Sequence, residues 1–267
     1  MSSINLKKVS TEEFKALTDV LTSLSKICSD CTCKDGKIIL RADKPNILVD
    51  IRFPFSVDFQ LATLKVFAKL LKLLDGKAYG IGEDENYSYF ASFDENDDVI
   101  DFLKFRNLSQ TINEYGREKL DALLSQTKPV FKFKMKVDDL FKTENFIKAF
   151  NTFFAIISIE NNQPKIIVKS EDKSDEVEIK PQCEILQAND EYKIALGIYP
   201  DVIFDWEGEI EITIYQIKDD VALVAFSGKY ENKDNIHIPA EIYLQTVCKN
   251  DVDSLITEIE GIDFLRN

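Results

Sequence analysis

An α+β fold of two tandem, pseudo-repeated domains is what the sequence predicts, and three observations predict it. Asp35-Gly36-Lys37-Ile38-Ile39-Leu40 recurs in pattern as Gln163-Pro164-Lys165-Ile166-Ile167-Val168, an offset of 165 − 37 = 128 residues. Each copy follows an amphipathic helical stretch that opens on acidic residues, Thr11-Glu12-Glu13-Phe14 in one and Val137-Asp138-Asp139-Leu140 in the other. The correspondence continues in order downstream. Phe55-Ser56-Val57-Asp58-Phe59 answers to Tyr192-Lys193-Ile194-Ala195-Leu196, and Gly76 before one late hairpin answers to Gly208 before another. Few helical periods among many short β-branched runs place the chain in the α+β class, and self-similarity at a fixed offset makes it a duplicated one.

The first unit starts with a strand over 4–9. A helix over 11–26 follows, with Ser10 as N-cap, Glu12 and Glu13 in the first turn, and Phe14, Leu17, Leu21 and Leu24 at helical spacing. Short strands are expected around 27–33, 37–42 and 47–53, punctuated by Asp35-Gly36 and Lys44-Pro45-Asn46. Phe55–Phe59 reads as an alternating strand, and 61–74 as a lysine- and leucine-rich helix ended by Asp75-Gly76. Strands over 77–82, 87–93 and 98–105 complete the unit.

A polar, partly helical connector spans 107–128. The second unit repeats the order: a strand at 130–137, a helix at 138–150, strands near 153–160, 165–170, 175–181 and 192–198, a turn or short helix at Tyr199-Pro200-Asp201, and strands at 209–217, 220–228 and 235–247. The expected organisation is a domain over 1–106, the connector over 107–128, a second domain over 129–248 and a tail over 249–267. At 267 residues, the chain suits two domains of ordinary size.

Hydrophobic residues make up 45% of the chain, with 19 Phe and 9 Tyr, which is enough to pack two cores. No apolar run reaches the ~18 to 20 residues of a membrane span, and Met1–Lys8 lacks the pattern of a signal peptide, so a cytoplasmic protein without a membrane partner is expected. Five cysteines are an odd number, and Cys28, Cys31 and Cys33 lie too close together for a disulfide framework, which fits reduced thiols. The net charge of −14 argues against a surface that coats nucleic acid. Charge is a sum over all faces, however, and the placement of the lysines decides the matter.

Lys65, Lys69 and Lys72 fall at i, i+4 and i+7 on one helix face, while Leu64, Phe67, Leu71 and Leu74 share another. No Asp or Glu occurs from Leu61 through Leu74, although a generic solvated face in so acidic a chain would carry both signs. Lys15 and Lys26 in the first helix, with Lys142 and Lys148 in the third, are sparser versions of the same theme. A locally basic helix in an acidic protein points to a polyanion.

Phe55-Ser56-Val57-Asp58-Phe59, followed by Leu64-Lys65, Lys69, Leu70 and Lys72, resembles the strand-to-helix passage of DNA sliding clamps, both the proliferating-cell-nuclear-antigen type and the T-even phage type. Tyr192 through Trp206-Glu207-Gly208 to Phe226-Ser227-Gly228 is similar to the end of the phage-type clamp, which suggests a phage or viral origin. The resemblance spans about residues 4–247. It implies the clamp fold, with helices lining the hole of a homotrimeric ring and antiparallel sheets outside. It also implies a task in DNA replication: encircling double-stranded DNA without reading sequence and tethering a DNA polymerase as a processivity factor, with a clamp loader as further partner. Carried over residue by residue, the DNA-facing positions are Lys15, Lys65, Lys69, Lys72, Lys142 and Lys148, with Lys77 just beyond the second helix. A partner-peptide pocket beside the connector and the last strands would involve Leu108, Ile112, Tyr199, Pro200 and Pro239. The tail is extra to this pattern. Val252, Leu255, Ile256 and Ile259 form an apolar stripe, and Gly261-Ile262-Asp263-Phe264-Leu265 resembles the peptides by which clamp partners dock. The tail is therefore either a terminal helix packed on its own domain or a peptide that occupies the chain's own pocket.

Other chemistries find little support. Cys28-x-x-Cys31-x-Cys33 lacks the second pair a structural zinc site requires, and Asp94-x-Asn96-x-Asp98 departs from a calcium loop at Val99 and Phe105. Gly80-x-Gly82 has no third glycine and no following helix. The single histidine, His237, leaves little for a nucleophilic triad or a histidine metal site, so neither enzymatic activity nor a cofactor is expected. The competing class is a viral structural or protein-interaction factor that uses a duplicated fold without forming a ring.

Overall fold

Ser10 opens the first helix with a reciprocal cap: its hydroxyl accepts from the Glu13 amide at 3.1 Å, and the Glu13 carboxylate accepts from the Ser10 amide at 2.8 Å. That capping box lies between β1 (Lys7–Val9) and α1 (Thr11–Leu24). The computed structural model describes residues 5–41, 47–107, 117–152, 154–170, 174–188, 193–198, 206, 208–231 and 236–260. They fall into two compact units, Met1–Arg117 with Lys229–Glu241, and Glu118–Gly228 with Ile242–Asn267.

In the first unit, β2 (Cys31–Lys34), β3 (Lys37–Arg41), β4 (Ile47–Arg52) and β5 (Phe59–Leu61) precede α2 (Leu64–Leu71). After it come β6 (Ala78–Glu83), β7 (Tyr87–Phe93) and β8 (Val99–Arg106). One antiparallel sheet has the order β1-β6-β7-β8. In another ladder β2 lies between β5 and β3, and β3 pairs β4. Beyond β4 the ladder continues with β17 (His237–Lys249), whose first residues, 237–241, cluster with this unit. Aromatic rings weld helices to sheet: Phe14 of α1 stacks on Tyr79 at 4.0 Å between centroids, and Phe67 of α2 meets Phe105 of β8 edge-on at 3.9 Å. Phe90 joins them from β7, 5.9 Å from Phe105 and 5.7 Å from Phe59.

The Phe55–Phe59 run does not form the strand expected of it. Asp35 and Gly36 both take positive φ (50° and 71°) in a two-residue turn that pairs Lys34 with Lys37. Residues 53–57 wrap around that turn: Gly36 N donates to Val57 O at 3.0 Å, and Phe53 N donates to Gly36 O at 2.8 Å. A β-carbon on Gly36 would lie 2.3 Å from Phe55 O. Backbone groups used in this way are not available to a ladder, and β5 begins only at Phe59.

The second unit contains α3 (Arg117–Gln126), β9 (Pro129–Lys136), α4 (Val137–Ala149), β10 (Ala155–Glu160), β11 (Gln163–Lys169) and β12 (Glu176–Ile179). These are followed by β13 (Cys183–Ala188), β14 (Ile194–Ile198), β15 (Glu209–Lys218), β16 (Val221–Glu231), the rest of β17, and α5 (Val252–Glu260). Strand order is β12-β11-β10-β14-β17-β16-β15-β9-β13. The β10–β11 hairpin turns on Asn161 and Asn162, both at positive φ (51° and 58°), and pairs Glu160 with Gln163. It is the counterpart of the Asp35-Gly36 turn, so the structural offset is 163 − 37 = 126, two residues less than the letters suggest. What repeats is a pair of left-handed residues, which Asp-Gly and Asn-Asn both tolerate.

Two further findings concern the ends of this unit. β13 was not expected from sequence; it is an edge strand with an irregularity between Ile185 and Gln187, and its side chains are largely exposed. The tail's apolar stripe forms α5, which buries Leu255, Ile256 and Ile259 against Phe154, Ile156, Ile167 and Ala195. Both faces of β10 are thereby covered, which is why Ala155, Ile156 and Ile157 are buried in succession. Residues 261–265 lie outside the described residues.

Candidate nucleic-acid interface

α2 is shorter than the 61–74 expected, because Phe59–Leu61 belong to β5 and residues 72–74 close the helix as a turn. Thr63 makes no side-chain cap and the first turn carries no acid; Leu64 N instead donates to Ser29 O at 2.7 Å. Burial of Leu64, Phe67, Ala68 and Leu71 holds the helix in place. Lys65, Lys69 and Lys72 stand on a second face, all exposed, and Lys77 is exposed beyond it. Among the described residues, none of Lys15, Lys65, Lys69, Lys72 and Lys77 has an ion-pair partner. A third face carries Val66, Leu70 and Leu73 at i, i+4 and i+7, with Val66 54% and Leu73 75% exposed. Sequence reading missed this third face, although its spacing is as regular as that of the lysines.

The other helices differ. α1 packs against α2 and exposes Glu12, Lys15 and Asp19, so Lys15 stands between two carboxylates in the same stripe. On α4, Lys142 is exposed and pairs with Asp139 at 3.0 Å, and exposed Lys148 pairs with Glu144. The outward stripe of α4 reads Asp138, Lys142, Asn145 and Ala149. All seven lysines carried over as DNA-facing are therefore on the surface, as is Lys26, but only those of α2 form a stripe without acids among the described residues. Acids in the first turn of α4 have a local reason: its N-cap, Lys136, supplies no cap bond, and negative charge favours a helix N-terminus.

Of the expected peptide pocket, Leu108, Ile112, Tyr199 and Pro200 lie outside the described residues, and Pro239 is exposed on β17. The remaining large exposed apolar residues, Val99, Ile100 and Phe102 on β8 and Ile185 and Leu186 on β13, mark two edge strands. β8 falls where a strand over 98–105 was expected, whereas β13, exposed along nearly its whole length, shows no clean alternation and is hidden from sequence reading.

Cys28, Cys31 and Cys33 are buried free thiols. Burial pushes the Cys31 thiol well above its ordinary range, and burial with the nearby Asp58 carboxylate raises Cys33. Among the described residues no group of three His, Cys, Asp or Glu side chains is placed to hold a metal ion. Asp94 instead caps a turn, accepting from Asn96 N at 2.7 Å and Asp98 N at 2.9 Å. Among the described residues no helix is long and apolar enough to cross a membrane.

No protein-family model and no curated protein sequence matches the chain. Among solved structures, the chain is similar to the PCNA2-PCNA3 complex from Sulfolobus tokodaii, with a TM-score of 0.59 and 13% identity over 91% of this chain and 99% of that chain. With its paired βαβ-type units and matching hairpin turns, the chain has the fold of the PCNA-type sliding clamps.

Proposed function

We propose that three copies of this chain close into a ring around duplex DNA and tether a DNA polymerase, with a clamp loader to open the ring. The observation that carries this reading is the stripe of Lys65, Lys69 and Lys72, exposed on one face of α2 and without an ion-pair partner among the described residues, in a chain of net charge −14. A topological link needs no tight contact. A few lysines facing phosphate, inside a repulsive acidic exterior, hold DNA without reading sequence and let the ring slide. The chain acts as a tether and not as a catalyst.

Two features support ring closure. β8 and β13 each end a ladder with an open edge and exposed apolar side chains, a combination that in a free monomer invites strand pairing. Because the two edges differ, their pairing is head-to-tail, the kind that closes into a ring. Their charges also complement one another, with Lys104 and Arg106 on β8 and Glu184 on β13. Partner peptides would dock near Pro239 and the connector.

The test is retention on DNA. Protein loaded onto closed circular duplex should stay bound through gel filtration and be lost when the circle is cut by a restriction enzyme. Equal loss from circular and linear DNA would refute the ring and favour a protein-interaction role.

A further inference from the structure

The three described helices that carry candidate DNA lysines differ in the charge they present. On α2 the outward stripe is Lys65, Lys69 and Lys72, three cations and no acid, or +3. On α1 it is Glu12, Lys15 and Asp19, or −1, and 0 when Lys26, exposed just past the helix end as Lys72 is on α2, is counted with them. On α4 it is Asp138, Lys142, Asn145 and Ala149, or 0, and both α4 lysines are engaged by carboxylates of their own helix, Asp139 three residues before Lys142 and Glu144 four before Lys148. A phosphate about one screening length away, ~8 Å at physiological salt, responds to the stripe as a whole and not to a single ammonium.

We infer that, in the ring reading on which this rests, α2 of the first unit carries the grip on the duplex phosphates, while α4 is silenced by Asp139 and Glu144. The grip is then unequal between the duplicated halves: of the three helices, only α2 is adhesive, while α1 and α4 carry no net positive stripe. Each phosphate neutralised by an ammonium releases counterions condensed on the DNA, and an ammonium already held by a carboxylate of its own helix neutralises a phosphate less. The acids that start α4 well also cancel its lysines. α2 has no acid in its first turn, and its cationic stripe stays clear.

Binding of the full-length protein to a short fluorescent duplex, followed by anisotropy between about 50 and 200 mM salt, tests this directly. The Lys65→Gln/Lys69→Gln/Lys72→Gln protein should flatten the slope of log K against log salt by up to about 2.7 for each protomer in contact, at about 0.9 per phosphate contact. Lys142→Gln/Lys148→Gln should leave the slope unchanged, and Asp139→Asn/Glu144→Gln should steepen it. The inference is overturned if the α4 lysine pair flattens the slope as much per residue as the α2 set, or if freeing that pair from its carboxylates changes nothing. A wild-type protein with no salt-dependent duplex binding would overturn this inference alone, because a topological link needs no tight contact; retention on closed circles against cut ones decides the clamp reading separately. The substituted side chains are exposed, and circular dichroism of each variant confirms that it is folded.

Discussion

The six-membered ring of Trp206 lies so close to Gly228 on β16 that a β-carbon on the glycine would fall 2.3 Å from Cε3 and 2.8 Å from Cδ2. Trp206 is the chain's one tryptophan and is fully buried, so the strand must pass beneath a rigid aromatic without a side chain of its own. Gly228→Ala should therefore destabilise the second unit by about 1–3 kcal/mol through overpacking. Urea unfolding followed by tryptophan emission measures it directly, and an unchanged midpoint would show that the ring can move aside. Gly208 is the contrasting case: it has positive φ (80°), and a β-carbon added to it would meet no atom within 4 Å among the described residues, so Gly208→Ala should cost about 1 kcal/mol from backbone conformation alone.

The tail helix is part of a core. Leu255 and Ile259 are fully buried, and Ile259 Cδ1 would lie 2.7 Å from a β-carbon on Gly197. Leu255→Ala should cost about 2–5 kcal/mol in unfolding free energy. Removing 251–267 should expose Phe154, Ile156 and Ile167 and bring dye-binding apolar surface, not merely tighter peptide binding. A truncated protein as stable as the full chain would show that α5 detaches freely.

Charges placed on the two open edges should prevent assembly and spare the protomer. Phe102 and Ile185 are 45% and 38% exposed in the single chain, so Phe102→Asp and Ile185→Lys remove little from either core. Light scattering should find three times 30.6 kDa for the wild type and 30.6 kDa for each variant. Full-size assemblies in both variants would place the contact elsewhere.

Acid should weaken the fold partly through its turns. Backbone amides of Asp98 and Asn96 hold the Asp94 carboxyl below its ordinary value; the Tyr89 hydroxyl and the Asn86 amide do the same for Asp84. A group depressed in the folded state stabilises fully above its unfolded value, about 3.9, and loses that contribution as pH falls through the folded value. Thermal midpoints measured from pH 6 down to pH 2 should therefore fall less steeply below about pH 4 for Asp94→Ala than for wild type. Parallel curves would remove Asp94 from the acid limb.

The start of α1 and the Asp35-Gly36 turn were readable because their causes are local. Ser10 and Glu13 stand three apart and cap each other wherever that helix goes, and Asp35-Gly36 favours its turn before any tertiary contact forms. The α2 lysine stripe was legible for the same reason, and so in principle were the pairs that silence Lys142 and Lys148, since Asp139 and Glu144 lie within one helical turn. The third, apolar face of α2 is visible as a spacing, but a period alone does not say which of two apolar stripes on one helix is buried.

The amino-acid order by itself determined the duplicated α+β pattern, the main helices and the clustering of unopposed cations on one of them, since each depends on residues a few positions apart. Tertiary structure alone decided that Phe55–Phe59 wraps the Gly36 turn, that 183–188 forms an edge strand, and that the terminal helix seals the β10–β11 face. Those outcomes depend on backbone groups and apolar surfaces contributed from far along the chain, and no local period records which distant partner will claim them.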